Sequence, residues 1–266
     1  MSGDKSQDQI LTQRSGQVAH IIFNNPARHN AMTLFMWQRL AELMKDLAVD
    51  DDVRVVVLSG AGDKAFVSGA DISQFGAERA NPDSVANYDR LVAAADKAVA
   101  GFPKPTIAKI NGYCFGGGLG LALGCDIRLS AETAKFALPA AQLGLGYSYD
   151  GTKKLINAVG PATAAEIFYT ADTYDAGDAL RIGLVNRVTP DDELDDVVDE
   201  LAHRIATNAP LTQQTFKAAM KECLKSHGET DPDYIQEMAK ACFASADYIE
   251  GRQAFMEKRK PVFKGK

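Results

Sequence analysis

The 266-residue sequence is long enough for one large hydrophobic core, or for one core with a small appendage. With 46% hydrophobic and 24% charged residues, it has the composition of an ordinary folded globular protein. Its 29 basic and 35 acidic residues give a net charge of −6, which argues against binding to the phosphate backbone of a nucleic acid. No apolar run follows the first charged residues, so we expect neither a secretory signal nor a membrane anchor. A cytoplasmic location is the default expectation.

The cysteines show neither a C-x-x-C motif nor a Cys/His spacing typical of a zinc site. They are Cys114, Cys125, Cys223 and Cys242. We therefore predict free thiols, no disulfide framework and no metal.

Helix and strand patterns alternate through the first half of the chain. Residues 18–23 predict a strand, and apolar residues at helical spacing predict a helix over 33–49 with Thr33 as N-cap. The β-branched run at 53–58 is typical of a strand buried on both faces. A helix over about 84–99 follows. These patterns predict an α/β fold.

The alternation continues to about residue 207 and then stops. The predicted elements are strand 102–110, helix 119–123, strand 126–130, helix 152–170 broken at Gly160, helix 175–182 and strand 184–188. Thr189 is predicted to cap the next helix, with Pro190 at its first position and acidic residues in its first turn. Residues 211–260 are almost wholly helical by pattern. We therefore divide the chain into a core at 1–207 and a helical oligomerisation region at 208–266.

Gly116, Gly117 and Gly118 form a turn between a predicted strand and a predicted helix. Glycines allow the backbone to approach a ligand closely, and a helix that begins near Gly117 points free N–H groups into the space before it. A dinucleotide fingerprint is excluded because Leu121 stands where its last glycine belongs, and the Gly-Lys-Ser/Thr of a P-loop is missing. Taken alone, the turn fits tight packing as well as it fits binding of a negatively charged oxygen.

A second loop, residues 64–73, follows the buried strand and has the same character. Gly69 permits a tight bend, and Ala70 and Asp71 can open a short helix with free N–H groups. Two such loops could hold one oxygen from two directions. For Asp71 itself, binding to backbone amides at a helix end is the preferred interpretation over catalysis.

An ordered set of segments across nearly the whole chain resembles the crotonase family, also called the enoyl-CoA hydratase/isomerase family. The segments are 25–32 (NPARHNAM), 64–72 (KAFVSGADI), 104–118 (KPTIAKINGYCFGGG), 125–127 (CDI), 179–185 (ALRIGLV) and 254–263 (AFMEKRKPVF). The resemblance implies a crotonase (ClpP-like) spiral of ββα units. It also implies a C-terminal helical region that builds homotrimers, which often pair into hexamers.

The resemblance further assigns roles to particular residues. The backbone N–H groups of Ala70 and Gly117 would hold the thioester oxygen of an acyl-CoA as it becomes an enolate. CoA enters as part of the substrate, so no separate cofactor is expected. The residues implied in binding substrate or CoA are Arg28, Lys64, Ala65, Phe66, Ala70, Asp71, Ile72, Gly117, Phe255, Lys258 and Phe263. For Arg28, a solvated turn residue is an equal alternative.

Two positions depart from the hydratase pattern. The hydratases of this family carry one glutamate where this chain has Gly120 and another where it has Ala140. Neither residue can transfer a proton, and general acid–base catalysis contributes about 10²–10⁴-fold. Efficient hydration by the two-glutamate route is therefore not expected.

The loop 144–152 supplies the remaining polar groups. Tyr147 matches a tyrosine of family members that decarboxylate methylmalonyl-CoA, and Asp150 is a weaker candidate; packing and helix capping are the respective alternatives. The histidines have no paired Ser or Cys that would form a catalytic triad. We expect a lyase-type, enoyl-CoA hydratase-like enzyme of fatty acid metabolism, with decarboxylation of a malonyl-type acyl-CoA as a candidate reaction. A non-catalytic acyl-CoA binding protein is the alternative.

Overall fold

The computed structural model describes residues 9–71, 81–225 and 228–266. Its larger sheet has six strands in the spatial order β1-β2-β3-β5-β7-β10, all parallel to their neighbours except the β1–β2 hairpin. The strands are β1 (Ile10–Ser15), β2 (Val18–Phe23), β3 (Val55–Gly60), β5 (Thr106–Ile110), β7 (Ile127–Ala131) and β10 (Arg187–Thr189).

A second, smaller sheet runs β4-β6-β8-β9. Its strands are β4 (Ala65–Val67), β6 (Tyr113–Phe115), β8 (Lys135–Ala137) and β9 (Tyr174–Asp175). The chain thus visits the large sheet, then the small sheet, and then a helix, three times in succession. This repetition is the spiral of ββα units that the sequence resemblance implied.

Ten α-helices lie in the described residues. They are α1 (Leu34–Val49), α2 (Pro82–Gly101), α3 (Gly117–Gly124), α4 (Tyr149–Val159), α5 (Pro161–Thr170), α6 (Ala176–Arg181), α7 (Leu194–Ala206), α8 (Pro210–Cys223), α9 (Pro232–Ala244) and α10 (Ala246–Met256). None of the helices in these ranges is both long and apolar enough to cross a bilayer.

The core lies on both faces of the large sheet. Helix α1 and its neighbours cover one face, and α7 covers the other with Leu194, Val198, Ala202 and Ala206 at four-residue spacing.

Strand β3 is buried from Val55 to Ser59, as its β-branched run predicted. Thr33 caps α1 by accepting a hydrogen bond from the N–H of Met36, also as predicted.

Two helix starts differ from prediction. Thr189 does not cap a helix but ends β10, and α7 begins five residues later. The acidic segment between them is used for tertiary contact, since the Asp191 carboxylate accepts hydrogen bonds from Thr133 N and Oγ1. Helix α4 begins at Tyr149 rather than at 152, because Ser148 caps it by accepting from Gly151 N at 3.1 Å.

The last three helices form the C-terminal region. Lys217 of α8 fastens this region to the large sheet: its buried ammonium donates to Asp126 Oδ2 at 2.6 Å and to the Lys104 carbonyl at 2.7 Å. The final residues fold back, and the N–H groups of Lys264 and Gly265 donate to the Asp247 carboxylate.

Candidate active site

The two glycine-containing loops meet because the strands before them are neighbours. Strands β4 and β6 pair in parallel, so the loops that follow them leave the small sheet at the same end of the strands. Beyond the strands the backbones nearly touch: a Cβ atom on Gly118 would lie 2.1 Å from the Val67 carbonyl oxygen, and one on Gly69 would lie 3.6 Å from that of Phe115. Only glycine fits at position 118.

The N–H of Gly117 is available to a ligand. Gly117 is the first residue of α3, as predicted, and an N–H at that position has no partner within the helix. Gly116 precedes it with a φ of 52° and is held in place by a hydrogen bond from its N–H to the Ala137 carbonyl at 2.9 Å. Gly117 is exposed, and no described group accepts a hydrogen bond from its N–H. The positive end of the helix dipole therefore faces open space.

Ala70 presents a second N–H at the end of the neighbouring loop. The loop is held by Met32, whose N–H donates to the Gly69 carbonyl at 2.8 Å and whose carbonyl accepts from Asp71 N at 3.0 Å. The N–H of Ala70 has no acceptor among the described residues, and Ala70 is half-buried. Two backbone donors on adjacent loops can stabilise an oxygen on which negative charge develops.

Asp71 is buried beside Ala70 and pairs with a cation. Arg28 Nη1 lies 3.4 Å from its Oδ1, and the Arg28 side chain is 55% exposed. Arg28 is thus brought to the Ala70 loop, and part of its guanidinium still faces solvent. Ile72, which was also predicted to contact substrate, lies outside the described residues.

The predicted CoA-lining residues before this loop differ in exposure. Lys64 is exposed, whereas the side chains of Ala65 and Phe66 lie in the core. The Phe66 ring packs edge-on against Phe23 with centroids 5.6 Å apart. Any contact that Ala65 or Phe66 makes with a ligand must therefore come from the backbone.

The two positions at which the resemblance places hydratase glutamates carry no proton-transfer group. At Gly120, an added Cβ would have no atom of the described residues within 4 Å, so a side chain there would meet open space between them. The Gly120 carbonyl accepts a hydrogen bond from Lys154 Nζ at 3.0 Å, and Lys154 forms an ion pair with Asp96. Ala140 is buried and follows β8.

Tyr147 is mostly buried in a cleft of about 400 Å³ between α4 and α5. Its ring contacts Phe168, with centroids 5.4 Å apart. Burial, with a smaller contribution from the Asp96 carboxylate, raises the pKa of Tyr147 to about 12, so the phenol is protonated near neutral pH. Asp150 is exposed in the first turn of α4, where the positive end of the helix dipole stabilises a carboxylate.

The C-terminal candidates lie in a different part of the fold from the two N–H groups. Phe255, near the end of α10, is 86% exposed and lines an apolar groove of about 840 Å³ between α8, α9 and α10. Lys258 is exposed with a left-handed φ of 53°. Phe263 packs against Gly251, and its carbonyl accepts a hydrogen bond from Arg54.

The side chain of Trp37 lies beside the glycine turn, a proximity that the sequence pattern does not reveal. A Cβ atom on Gly117 would lie 3.4 Å from Cζ2 of Trp37, which is buried in α1. The helical spacing identified Trp37 as apolar core, but its contact with residue 117 depends on tertiary packing. No cluster of three or more His, Cys, Asp or Glu groups in the described part of the chain could hold a metal ion.

Comparison with known proteins agrees with this architecture. The model of the enoyl-CoA hydratase/isomerase family matches residues 13–266. The chain is 33% identical over 251 residues to the short-chain-enoyl-CoA hydratase of Clostridium acetobutylicum, which covers 94% of this chain and 95% of that one. It is 36% identical over 257 residues to the carnitinyl-CoA dehydratase of Citrobacter koseri, covering 95% and 97% respectively.

Solved structures have the same fold. An enoyl-CoA hydratase/carnithine racemase from Magnetospirillum magneticum superposes with a TM-score of 0.92 at 39% identity, covering 97% of this chain and 96% of that one. A putative enoyl-CoA hydratase/isomerase family protein from Hyphomonas neptunium also gives 0.92, at 30% identity and with 98% and 99% covered. The chain therefore belongs to the enoyl-CoA hydratase/isomerase family of enzymes, the crotonase superfamily.

Proposed function

We propose that this enzyme binds an acyl-CoA thioester and stabilises its enolate between the backbone N–H groups of Ala70 and Gly117. The observation that carries the proposal is a pair of N–H groups on adjacent loops, one of them at the start of a helix, for which no described residue supplies an acceptor. Loss of one such donor costs about 3–4 kcal/mol of transition-state stabilisation in hydrolases that use the same device. The relatives named as hydratases and dehydratases of CoA esters support the substrate class.

The reaction we propose is decarboxylation of a malonyl-type acyl-CoA. In that reaction the bond between the α-carbon and the carboxylate breaks, CO₂ leaves, and the electron pair moves into the thioester to form the enolate. The step needs a donor pair for the enolate oxygen but no strong base. Gly120 and Ala140, which offer no carboxylate for proton transfer and leave open space at position 120, suit this reaction better than hydration.

A proton must then reach the α-carbon. Tyr147 is the candidate donor, because its phenol is protonated at neutral pH and the enolate carbon is a far stronger base than a phenolate. Burial raises the pKa of Tyr147 to about 12, which makes it a weaker acid than a free phenol but leaves this transfer favourable. Asp150, exposed in the same loop, is the weaker candidate and could orient a proton-donating group by accepting a hydrogen bond from it.

We further propose that the C-terminal helices join copies of this chain into a homotrimer, or a hexamer built from two trimers. Support comes from the exposed apolar side chains along the groove between α8, α9 and α10, since patches of this kind mark protein interfaces. In such an assembly, Phe255, Lys258 and Phe263 would approach the CoA bound by a neighbouring subunit. The free thiols suit a reducing, cytoplasmic location.

One experiment separates the candidate reactions. The protein is incubated with crotonyl-CoA and with methylmalonyl-CoA, and hydrated and decarboxylated products are followed together. We expect decarboxylation, with little hydration, and a marked slowing in Tyr147→Phe. Hydration at a rate typical of the family would contradict our interpretation of Gly120 and Ala140.

Calorimetric measurement of the binding of the same two acyl-CoA esters tests the alternative, a non-catalytic acyl-CoA binding protein. Binding without turnover of either ester would indicate an acyl-CoA binding protein that retains the pocket without the chemistry.

A further inference from the structure

One segment of the chain contacts both halves of the oxyanion-binding arrangement. Met32, just before α1, exchanges hydrogen bonds with the Ala70 loop at 2.8 and 3.0 Å. Trp37, one turn into the same helix, places Cζ2 and Cη2 of its indole 3.4 and 3.5 Å from the Cβ position of Gly117. The start of α1 is fixed between them because Thr33 Oγ1 accepts from Met36 N.

Toward the described part of the chain, the indole of Trp37 presents ring surface rather than a hydrogen bond. Trp37 is 1% exposed, and its Nε1–H has no acceptor among the described residues. A buried donor without a partner destabilises the folded state, so a purely apolar side chain would serve the core better at this position. What tryptophan supplies here is a broad, rigid ring that borders the Cβ position of Gly117.

We propose that the segment 32–37 is a brace that sets the position of the Ala70 N–H relative to the Gly117 N–H, with Trp37 as a positioning residue. The inference rests on the proposed oxyanion function of those two groups. Donors stabilise developing charge only when they are held in place before the reaction, and a displacement of about 1 Å can cost about 100-fold in rate. Trp37 therefore acts on the reaction through Gly117, without touching the substrate.

The test compares Trp37→Leu and Trp37→Phe with Leu40→Ala, a substitution of a fully buried residue one turn further along α1. The first readout is the ¹³C chemical shift of the thioester carbonyl of bound butyryl-CoA labelled at that carbon, because hydrogen bonds to the oxygen move it downfield. The second readout is kcat and KM for whichever substrate the wild-type protein turns over.

We expect Trp37→Leu to lose most of the carbonyl shift and to lower kcat by about tenfold or more with little change in KM. Trp37→Phe should fall between it and the wild type. Leu40→Ala should lower stability but keep the wild-type carbonyl shift. A folded Trp37→Leu protein with the wild-type shift and kcat would overturn the brace.

The wild-type protein gives an independent measurement, since Trp37 is the only tryptophan in the chain. Its fluorescence is expected to change when butyryl-CoA binds, but not when CoA without an acyl group binds. If butyryl-CoA left the emission of Trp37 unchanged, this result would contradict a coupling between Trp37 and the Gly117 loop. If the wild-type carbonyl shows no shift on binding, the oxyanion proposal itself fails, which is a different result from a Trp37 variant that retains the shift.

Discussion

Neighbouring glycines of the turn serve different physical purposes. Gly116 adopts a φ of 52°, which disfavours residues with a side chain, and Gly118 allows the α3 backbone to touch the Val67 carbonyl. Gly120 does neither, because the space next to it is open. The first two therefore build the loop, whereas the third leaves room at a position where the sequence resemblance places a hydratase glutamate.

Alanine substitutions should separate these purposes. Gly118→Ala would place a methyl group 2.1 Å from a carbonyl oxygen, and we expect it to lower the free energy of unfolding by at least about 3 kcal/mol. Gly120→Ala should raise it by roughly 0.5–1 kcal/mol, because alanine loses less backbone entropy in a helix. Urea unfolding of both variants measures the two free energies. Equal changes in the free energy of unfolding would contradict the close approach of Gly118 to the Val67 carbonyl.

Introducing carboxylates at positions 120 and 140 tests whether their absence limits hydration. The double substitution Gly120→Glu and Ala140→Glu should raise the rate of crotonyl-CoA hydration above that of the wild type, by up to about 10²-fold per group. The control carries glutamine at both positions, which matches the side-chain size but cannot transfer protons. Equal hydration rates for the two double variants would contradict the assignment of these positions.

At the scale of elements, most helices and the strands of the large sheet other than β1 could be predicted, whereas the small sheet could not. Strands β4, β6 and β8 have three residues each, too few for an alternating pattern to be visible. Yet these strands bring Ala70 and Gly117 to one edge. The two loops could be recognised by their glycines and by family resemblance. The proximity of Trp37 to Gly117 and the Lys154–Asp96 ion pair could not, because both depend on packing between distant segments.

The anchor of α8 provides a prediction about stability. Lys217→Met leaves Asp126 without its buried cation and should lower the free energy of unfolding by about 3–5 kcal/mol. The control is Lys240→Met, which removes a solvent-exposed pair with Glu237 and should cost less than about 1 kcal/mol. Chemical denaturation compares the two, and a Lys217 effect as small as the control would contradict the anchoring role.

Lys221, one turn further along α8, predicts a pH dependence. Burial, with a smaller contribution from the Lys217 charge, lowers its pKa to about 8 from 10.5. Between these values the unfolded chain binds more protons, so this group makes stability rise with pH across that window. When the pH is raised from 8 to 10, the free energy of unfolding of Lys221→Met should therefore rise less than that of the wild type. Unfolding curves at both pH values test this, and an identical gain would exclude the shifted pKa.

At the scale of the molecule, the proposed oxyanion donors and the apolar groove of the C-terminal helices belong to different parts of the fold. The spiral of ββα units carries the two N–H groups, while three C-terminal helices carry an exposed apolar groove. The division of the chain at residue 208 remains a sequence-based prediction, and the helical pattern behind it agrees with α8 beginning at Pro210. The fold class could be predicted because the motif order is specific to one family, but no pattern in the groove indicates the number of subunits.

A charge in the groove should prevent assembly. Phe243 lines the groove and is largely exposed, so we expect Phe243→Glu to reduce the molar mass in solution from that of an oligomer to that of one chain. Val49→Glu, at an even more exposed apolar residue on α1, is the control and should leave the mass unchanged. Light scattering after gel filtration gives both masses, and a wild-type protein that is monomeric would refute the oligomer proposal.

The most direct test of the oxyanion arrangement removes one N–H without removing the loop. Gly117→Pro does so, because the first position of a helix tolerates proline, and Gly117→Ala keeps the N–H as its control. The measurement is the carbonyl ¹³C shift of labelled butyryl-CoA on binding. The account predicts a downfield shift with the wild type and with Gly117→Ala that is largely lost in Gly117→Pro, whereas an equal shift in all three folded proteins would contradict it.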